Sequence, residues 1–374
     1  MKPTQATALT TKVSAYRIFF PLAAIYAALA VPLSVYALSD SSAIFSGLIG
    51  IHHGHEMLFG FALALVAGYL LGTLPRWQLA FIVGVWIIAR FSYVIWPDSL
   101  IAAIFSPLFA LLLAWYVAPK FLVAKKWRNQ ALTPLLITIG LFPLVFAIGY
   151  HYFDALSLQN IMYGMILMLA LLMAYMGGRM IAPAVAGELQ KQGITLEARL
   201  QPHLEGATII LLSAAALLLV LFSFHVLSGL LVMATGIILA IRLVRWNLWR
   251  CYLRPDLIGL GIGYGWLAIG VFLFGLALLV DQYQTAALHV IAVGAIGSLS
   301  TGIMVRVHFQ RSRRTLPPNA FVVISMSCIG VATIYRALAG LGLAEQENYL
   351  IIAAAAWSMA FVTVASQFLP RALE

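Results

Sequence analysis

Charged side chains are scarce in this chain. Asp, Glu, Lys and Arg together make up 9% of the 374 residues, whereas apolar residues make up 63%. Soluble domains carry a charge on roughly a quarter of their residues, so this composition excludes a sizeable soluble domain. Cysteine is nearly absent as well. Cys251 and Cys328 lie far apart, which excludes a disulfide framework, and the sequence contains no Cys-x-x-Cys-His motif.

The basic residues outnumber the acidic ones and give a formal net charge of +10. They do not indicate nucleic-acid binding, because they lie in short loops beside apolar stretches, where Lys and Arg set the topology of a membrane protein. We predict no cleavable signal peptide. Met1–Ala15 is polar and basic, and the first apolar stretch is long enough to be a true span.

Apolar stretches of about 20 residues, the length of a helix that crosses a bilayer, recur along the whole chain. We therefore predict an all-α polytopic integral membrane protein with one transmembrane helical domain over residues 1–374. Its polar N-terminal segment is predicted at 1–15 and its longest loop at 183–206. About twelve spans are predicted by the length rule, at Tyr16–Leu38, Leu48–Gly72, Trp77–Trp96, Leu100–Ala118, Ala131–Tyr150, Ser157–Ala182, Ala207–Val226, Ser228–Val244, Leu257–Val280, Tyr283–Val305, Asn319–Leu341 and Tyr349–Phe368.

The positions of the charged residues agree with these spans. Every Lys and Arg except Arg90 and Arg336 falls in or beside the N-terminal segment, the C-terminal tail or one of the alternate loops. The opposite loops contain no Lys or Arg and hold the acidic residues Asp40, Asp98, Asp154, Asp281, Glu345 and Glu347. Because positive residues accumulate on the cytoplasmic side, both termini and the 183–206 loop are predicted to be cytoplasmic.

Three of the eight histidines lie within four positions, in Ile51-His52-His53-Gly54-His55-Glu56-Met57, near the predicted outer end of the second span. On a helix, His52, His55 and Glu56 are spaced i, i+3 and i+4 and share one face, while His53 stands over Met57 on another. Ionisable groups at the head of a membrane helix predict a functional site. The alternative is a hydrated helix end whose histidines reach water or lipid headgroups.

Three further histidines fall in the predicted outer half of the membrane. His289 lies in the tenth span, roughly 10 Å from its outer end at a rise of ~1.5 Å per residue, and the second-span histidines reach a similar depth. His151 and His225 lie at the outer ends of spans five and seven. His203 and His308 fall in predicted cytoplasmic loops and are interpreted as ordinary solvated residues.

Histidines on different spans at a matched depth are suited to hold haem iron, which pairs His289 with His53 or His55. Neutral imidazoles that lie close together also bind copper. The candidate metal ligands are therefore His52, His53, His55, His289, His151 and His225. Glu56 is predicted either to orient a neighbouring histidine or to form a salt bridge with Arg90 or Arg336. Met57 is interpreted as a packing residue.

Small residues follow His289 and also fill the ninth span. They allow a neighbouring helix or a flat macrocycle to approach closely, and helix packing alone explains them equally well. They do not form Gly-x-Gly-x-x-Gly, so a dinucleotide fingerprint is excluded. The residues are Gly294, Gly297, Ser298, Ser300, Thr301 and Gly302 after His289, and Gly259, Gly261, Gly263, Gly265 and Gly270 in the ninth span.

Six sequence blocks follow one another between residue 16 and residue 306. They are Tyr16-Arg17-Ile18-Phe19-Phe20-Pro21-Leu22; His53-Gly54-His55-Glu56-Met57-Leu58-Phe59-Gly60-Phe61; Gly177-Gly178-Arg179 with Pro183; Arg242-Leu243-Val244-Arg245-Trp246; Gly263-Tyr264 with Trp266; and Ala287-Leu288-His289 with Val293-Gly294-Ala295-Ile296-Gly297. In this order they resemble the NnrS family, although only the block that begins at His53 is specific by itself. The resemblance implies a twelve-span bacterial inner-membrane protein that contains haem and copper and is associated with nitric oxide and nitrosative stress.

Matched residue by residue, the family's His-x-His-Glu motif falls on His53, His55 and Glu56, and its tenth-span histidine falls on His289. The sequence departs from the family pattern at Gly261 and at Arg311, where histidines are expected, although His308 lies close to the second position. These departures weaken the copper prediction more than the haem prediction. The chain is more loosely similar to the catalytic subunit of haem–copper oxidases, which also ligates haem from spans two and ten.

We therefore predict that His53 or His55, together with His289, holds a b-type haem near the outer face of a bacterial inner membrane. Nitric oxide is the predicted diatomic ligand, with electron transfer as the other possible role, and Arg336 is a predicted partner for a haem propionate. One alternative is a transporter or metal permease that uses the histidine cluster and Glu56. The other is a sensor or assembly partner of respiratory proteins. Whether a substrate is turned over is left open.

Overall fold

The computed structural model describes residues 11–39, 43–343 and 345–369. Three π-helical segments interrupt a series of α-helices, and we name them π1 (Glu56–Ala62), π2 (Val290–Ile296) and π3 (Phe309–Arg313). Short 3₁₀ turns lie at Ala43–Leu48, Glu197–Arg199 and Leu248–Cys251. The α-helices are α1 (Tyr16–Ser39), α2 (Ile51–His55), α3 (Leu63–Leu70), α4 (Arg76–Ile95), α5 (Leu100–Leu122), α6 (Trp127–Gln130), α7 (Leu132–Tyr152), α8 (Ala155–Lys191), α9 (Pro202–Phe222), α10 (His225–Arg245), α11 (Pro255–Val280), α12 (Gln284–His289), α13 (Gly297–His308), α14 (Asn319–Ala339) and α15 (Gln346–Ser366).

Within the described residues, 11 helices are long and apolar enough to cross a membrane. Each corresponds to one predicted span, and the predicted span without such a helix is the second. Its residues are divided among three consecutive segments, α2, π1 and α3, which together cover residues 51–70. The architecture is that of an all-α multi-pass membrane protein, while the count of twelve spans and the orientation of the termini stay predictions.

The loop predicted at 183–206 is shorter than expected. α8 continues through Pro183 to Lys191 and is 37 residues long, and α9 already begins at Pro202. Proline is tolerated inside membrane helices, because neighbouring groups and local adjustments satisfy the backbone groups that it frees. The prediction that the helix ends before Pro183 was therefore wrong.

The chain packs into two compact units. Unit 1 comprises Met1–Met162 with Ala365–Glu374, and unit 2 comprises Tyr163–Val364. In unit 1 an antiparallel ribbon joins β1 (Lys12–Ser14) to β2 (Thr73–Pro75) and so connects the start of α1 with the start of α4. Strands of three residues show no alternating pattern in the sequence, and this ribbon was not predicted.

Small residues let the helices of each unit approach closely, as is usual in membranes. In unit 1 a Cβ on Gly140 of α7 would lie 2.8 Å from the Cβ of Ala114 on α5. In unit 2 a Cβ on Gly236 of α10 would lie 2.6 Å from the backbone nitrogen of Phe272 on α11. These contacts leave no space for a larger side chain on either glycine.

Large apolar side chains point outward along the helices. Trp115 is 77% exposed, Leu100 74% and Phe91 68%. Soluble monomers rarely expose large contiguous apolar patches, whereas a lipid bilayer covers such a surface without cost. The exposed side chains therefore agree with the membrane location that the helix lengths indicate.

Candidate functional site

The histidine-rich segment forms a short helix that turns directly into a π-helix. Gly50, with φ 58 and ψ −127, precedes α2, and this backbone conformation is one that glycine adopts far more readily than other residues. α2 then ends at His55, and π1 begins at Glu56. π-helical turns are rare and occur frequently at functional sites, so the local backbone marks the segment that the sequence also singles out.

Glu56 is the centre of a buried hydrogen-bond network in unit 1. Its side chain is 0% exposed. The Tyr26 hydroxyl on α1 and Nη1 of Arg90 on α4 both donate to its carboxylate. Nδ1 of His55 lies 2.9 Å from Oε1 of the same carboxylate. Glu56 therefore forms the predicted salt bridge with Arg90 and also accepts from the neighbouring histidine.

Ser106 of α5 closes this network into a ring. Nη2 of Arg90 donates to Ser106 Oγ over 3.0 Å, and Ser106 Oγ lies 3.2 Å from Nε2 of His55. The serine hydroxyl can donate to His55 while His55 donates through Nδ1 to Glu56, which fits a neutral imidazole. Both ring nitrogens of His55 are thus engaged in the ring of His55, Glu56, Arg90 and Ser106, which we call the Glu56 ring.

His52 lies on the same face of the segment, as the i, i+3 spacing predicts. Its Nδ1 is 2.9 Å from the hydroxyl of Tyr93 on α4, and its Nε2 is 3.4 Å from the hydroxyl of Tyr150 on α7. The Tyr93 ring stacks on His55, with centroids 3.6 Å apart and an interplanar angle of 3°. Aromatic contacts therefore fix the orientation of both histidines inside unit 1.

Gly60 makes room for the Glu56 ring. A Cβ at this position would lie 2.7 Å from Nη1 of Arg90 and 3.2 Å from the ring of Tyr26. The carbonyl of Gly60 accepts a hydrogen bond of 3.0 Å from the indole of Trp86. The glycine of the His-x-His-Glu-Met-Leu-Phe-Gly block is thus explained by the close approach of Arg90.

His53 and Met57 belong to the other face of the segment. Both side chains are half-buried, and His53 is not a member of the Glu56 ring. Nδ1 of His53 is itself buried. The histidines of this short helix therefore differ in position, because His52 and His55 lie on the face of the Glu56 ring and His53 lies on the other.

In unit 2, His289 ends α12 and π2 follows it directly. Its Nδ1 lies 2.6 Å from the carbonyl oxygen of Thr285, one helical turn earlier. A carbonyl only accepts, so Nδ1 carries the proton and the lone pair is on Nε2. Metal-bound histidines typically show this arrangement, in which the other ring nitrogen donates to a carbonyl or carboxylate.

Arg336 lies at the level of His289 within unit 2. Gly340 of α14 abuts Ala286, and Thr333 of the same helix contacts Gly294. The two helices therefore run antiparallel, and Arg336 falls between these contacts, as His289 does. The Arg336 side chain is half-buried, and among the described residues its guanidinium has no hydrogen bond or ion pair.

The glycines around His289 are used for helix packing. Gly294 lies against Trp266 and Thr333, and Gly297 lies against Trp357 and Ile329. Side chains of neighbouring helices thus occupy the space that these small residues open.

The remaining predicted metal ligands lie at helix ends. His151 is exposed at the end of α7, and His225 is half-buried as the first residue of α10. In the part of the chain that the structure describes, no group of three or more His, Cys, Asp or Glu side chains is arranged to hold a metal ion. The structure therefore gives the copper prediction no support, and haem, which needs one or two histidines, is unaffected.

Sequence reasoning missed the neutral partners of the Glu56 ring and of His52. Tyr26, Tyr93, Ser106 and Tyr150 lie on four different helices and belong to no local motif. Arg90 alone had a signal, since it is a charged residue inside an apolar span.

Comparisons with known proteins point to one family. The family model described as NnrS protein matches residues 13–374, nearly the whole chain. Searches of curated proteins and of solved structures each gave no significant match. On the strength of the family match, which includes both the second-span motif and His289, the chain belongs to the NnrS family.

Proposed function

We propose that this protein binds a b-type haem and that the haem iron takes nitric oxide as its ligand. The NnrS family is linked to the nitric oxide response and to haem binding at the family level. The observation that carries the proposal here is the hydrogen bond from Nδ1 of His289 to the Thr285 carbonyl, because it directs the lone pair to Nε2, the atom that would bind iron. Bound haem would supply an iron centre for a diatomic ligand and for electron transfer.

In unit 2, His289 is suited to bind the haem iron and Arg336 is suited to pair with a haem propionate. His289 presents a neutral imidazole for the iron, and Arg336 is a half-buried cation at the same level, suited to a propionate carboxylate. An unpaired guanidinium inside a membrane helix is expensive, which supports a role for Arg336 with an anionic group.

In unit 1, we assign the ligand role to His53 and a supporting role to His55. Nε2 of His55 is engaged with Ser106, and its ring is stacked against Tyr93. A porphyrin could reach Nε2 of His55 only if both contacts were broken. His53 lies two residues before His55 and outside the Glu56 ring, so iron binding at His53 would keep that ring intact. The assignments of His53 and His289 rest on separate observations, and each is tested by its own variant.

The transporter alternative finds less support at Glu56. A transient ion site requires a carboxylate that can release its partners, whereas Glu56 is fully buried and held by Tyr26, Arg90 and His55. The proposal includes haem but not copper, which stays a prediction from the sequence. A location in a bacterial inner membrane is consistent with the family.

The test is an optical spectrum of the protein purified after expression with ample haem. We expect a Soret band, iron in the preparation, and a shift of the band when nitric oxide is added to the reduced protein. His289→Ala and His53→Ala should each lower the haem content or shift the band. His203→Ala, at an exposed position of α9, is the matched control and should leave the spectrum unchanged.

Two results would contradict these assignments. A protein without a Soret band under those conditions would remove the haem proposal altogether. A spectrum that changes in His55→Ala but not in His53→Ala would exchange the roles given to these two histidines.

A further inference from the structure

Three of the sequence blocks that haem binding leaves unexplained meet in unit 2. A Cβ on Gly177 of α8 would collide with the ring of Tyr264, and one on Gly178 would lie 2.7 Å from Nη2 of Arg242. The Trp246 and Tyr264 rings pack edge to face, with centroids 4.8 Å apart. The two glycines thus let Arg242 and Tyr264 lie directly against the backbone of α8. We define the Arg242 cluster as Gly177, Gly178, Gln201, Glu205, Arg242, Trp246 and Tyr264.

Arg242 has an incomplete set of partners for a buried cation. Its side chain donates through Nη1 to the carbonyl of Ala174 over 3.2 Å. Nη2 lies 3.9 Å from Oε1 of Glu205, which is beyond the reach of a direct hydrogen bond. A polar contact at such a distance is often bridged by a water molecule.

Three other polar atoms of the cluster are buried and unsatisfied. Among the described residues, Nε of Arg242, Oε1 of Gln201 and the hydroxyl of Tyr264 have no hydrogen-bond partner. These residues are 2%, 7% and 0% exposed. Nε2 of Gln201 already donates to the carbonyls of Ala198 and Arg242, so its amide is oriented with the oxygen as the unsatisfied atom. Buried polar groups nearly always have a partner, protein or water.

The chemistry of these atoms selects the ligand. Nε of Arg242 can only donate, Oε1 of Gln201 can only accept, and a tyrosine hydroxyl can do both. An anion could not donate to Gln201 and would be repelled by Glu205, while a cation could not accept from Arg242. Water donates and accepts, and buried waters in proteins typically make about three such hydrogen bonds.

We propose that the Arg242 cluster is a buried hydrated site, in which water molecules connect Gln201, Arg242 and Tyr264. Gln201 precedes the first residue of α9, and Arg242 lies in the last turn of α10. Tyr264 lies roughly 13 Å into α11 at a rise of ~1.5 Å per residue. The proposed hydrated site therefore extends from the helix ends on the predicted cytoplasmic side to the Tyr264 hydroxyl.

Radiolytic hydroxyl-radical footprinting of the full-length protein in nanodiscs tests this site, because bound water is the local source of the radical. We expect Tyr264 to be oxidised about as fast as exposed Tyr252 although Tyr264 is fully buried. Tyr163 is the matched control, because it is also in unit 2 and is 5% exposed, and it should be oxidised severalfold more slowly. Oxidation of Tyr264 at the slow rate of Tyr163 would overturn the proposal.

A second measurement tests the part assigned to Gln201. Gln201→Leu removes the unsatisfied acceptor and should lower the oxidation rate of Tyr264 severalfold while the rate of Tyr252 stays the same. Gln192→Leu, at an exposed position, is the control and should change neither rate. Circular dichroism checks that both variants are folded. If Gln201→Leu, once folded, leaves the rate of Tyr264 unchanged, water is not held between these residues and the site as drawn is wrong.

Discussion

Replacing Arg90 with methionine removes the cation that faces Glu56. Glu56 is 0% and Arg90 3% exposed, so the carboxylate would remain buried with only Tyr26 and His55 as donors. Breaking a buried ion pair by removing one partner typically costs about 3–5 kcal/mol, because an uncompensated charge stays behind. The loss of the hydrogen bond from Nη2 to Ser106 acts in the same direction. We therefore expect Arg90→Met to lower the free energy of unfolding by about 3–5 kcal/mol.

The double variant Glu56→Gln with Arg90→Met separates the charge effect from lost packing. It removes both charges, so no uncompensated charge stays buried at this position. The double variant should therefore be more stable than Arg90→Met alone. The coupling energy between the two positions is expected to be about 2 kcal/mol, within the range found for residues in one network.

The assay is reversible unfolding in mixed micelles with increasing SDS, followed by circular dichroism. Arg76→Met is the matched control, since Arg76 is an exposed arginine at the start of the same helix, and it should change the unfolding free energy by no more than about 0.5 kcal/mol. The reasoning would be refuted by an Arg90→Met variant within about 1 kcal/mol of the original protein. It would also fail if the double variant lost as much unfolding free energy as the single variants Glu56→Gln and Arg90→Met lose when their losses are added.

Two further predictions use other features of the fold. Gly60→Ala places a Cβ 2.7 Å from Nη1 of Arg90 and should destabilise the protein in the same SDS assay. Gly84→Ala, where nothing lies within 4 Å, should instead be neutral or stabilise α4 by up to about 1 kcal/mol, and equal effects of the two changes would contradict the packing described. Cys251 lies between α10 and α11, and burial raises the pKa of its thiol above the usual value, so less thiolate is present at neutral pH. Alkylation by iodoacetamide, followed by mass spectrometry, should be slow in the folded protein and fast after unfolding, and fast alkylation of the folded protein would show that this loop is open.

The sequence was sufficient for features that depend on local spacing. The lengths of the apolar stretches located the spans, and eleven of them have a matching helix. The i, i+3, i+4 spacing placed His52, His55 and Glu56 on one face, and the contacts with Tyr93 and the Glu56 ring lie on that face. Arg90 was recognised as an unusual residue because a charge inside a span is expensive.

Features that depend on how distant helices are rotated could not be predicted. Tyr26, Ser106 and Tyr150 are neutral residues in apolar helices, and their positions in the sequence do not reveal which side chain they meet. The choice between Arg90 and Arg336 as the partner of Glu56 was open for the same reason. The end of α8 was misplaced because proline usually ends a helix in water, whereas α8 continues past Pro183.

The π-helical segments do not by themselves identify which histidine would bind iron. Each of the three begins directly after a histidine: π1 after His55, π2 after His289 and π3 after His308. Because π3 lies at the end of its helix, beside Arg311 and Arg313, a π turn after a histidine is not by itself evidence of a cofactor. The hydrogen bonds of the imidazoles distinguish His55 from His289. His55 donates through Nδ1 to Glu56 and accepts at Nε2 from Ser106, so its ring belongs to a closed protein network. His289 donates through Nδ1 to the Thr285 carbonyl of its own helix, which places the lone pair on Nε2, and this is the arrangement on which the proposed iron ligation by His289 rests.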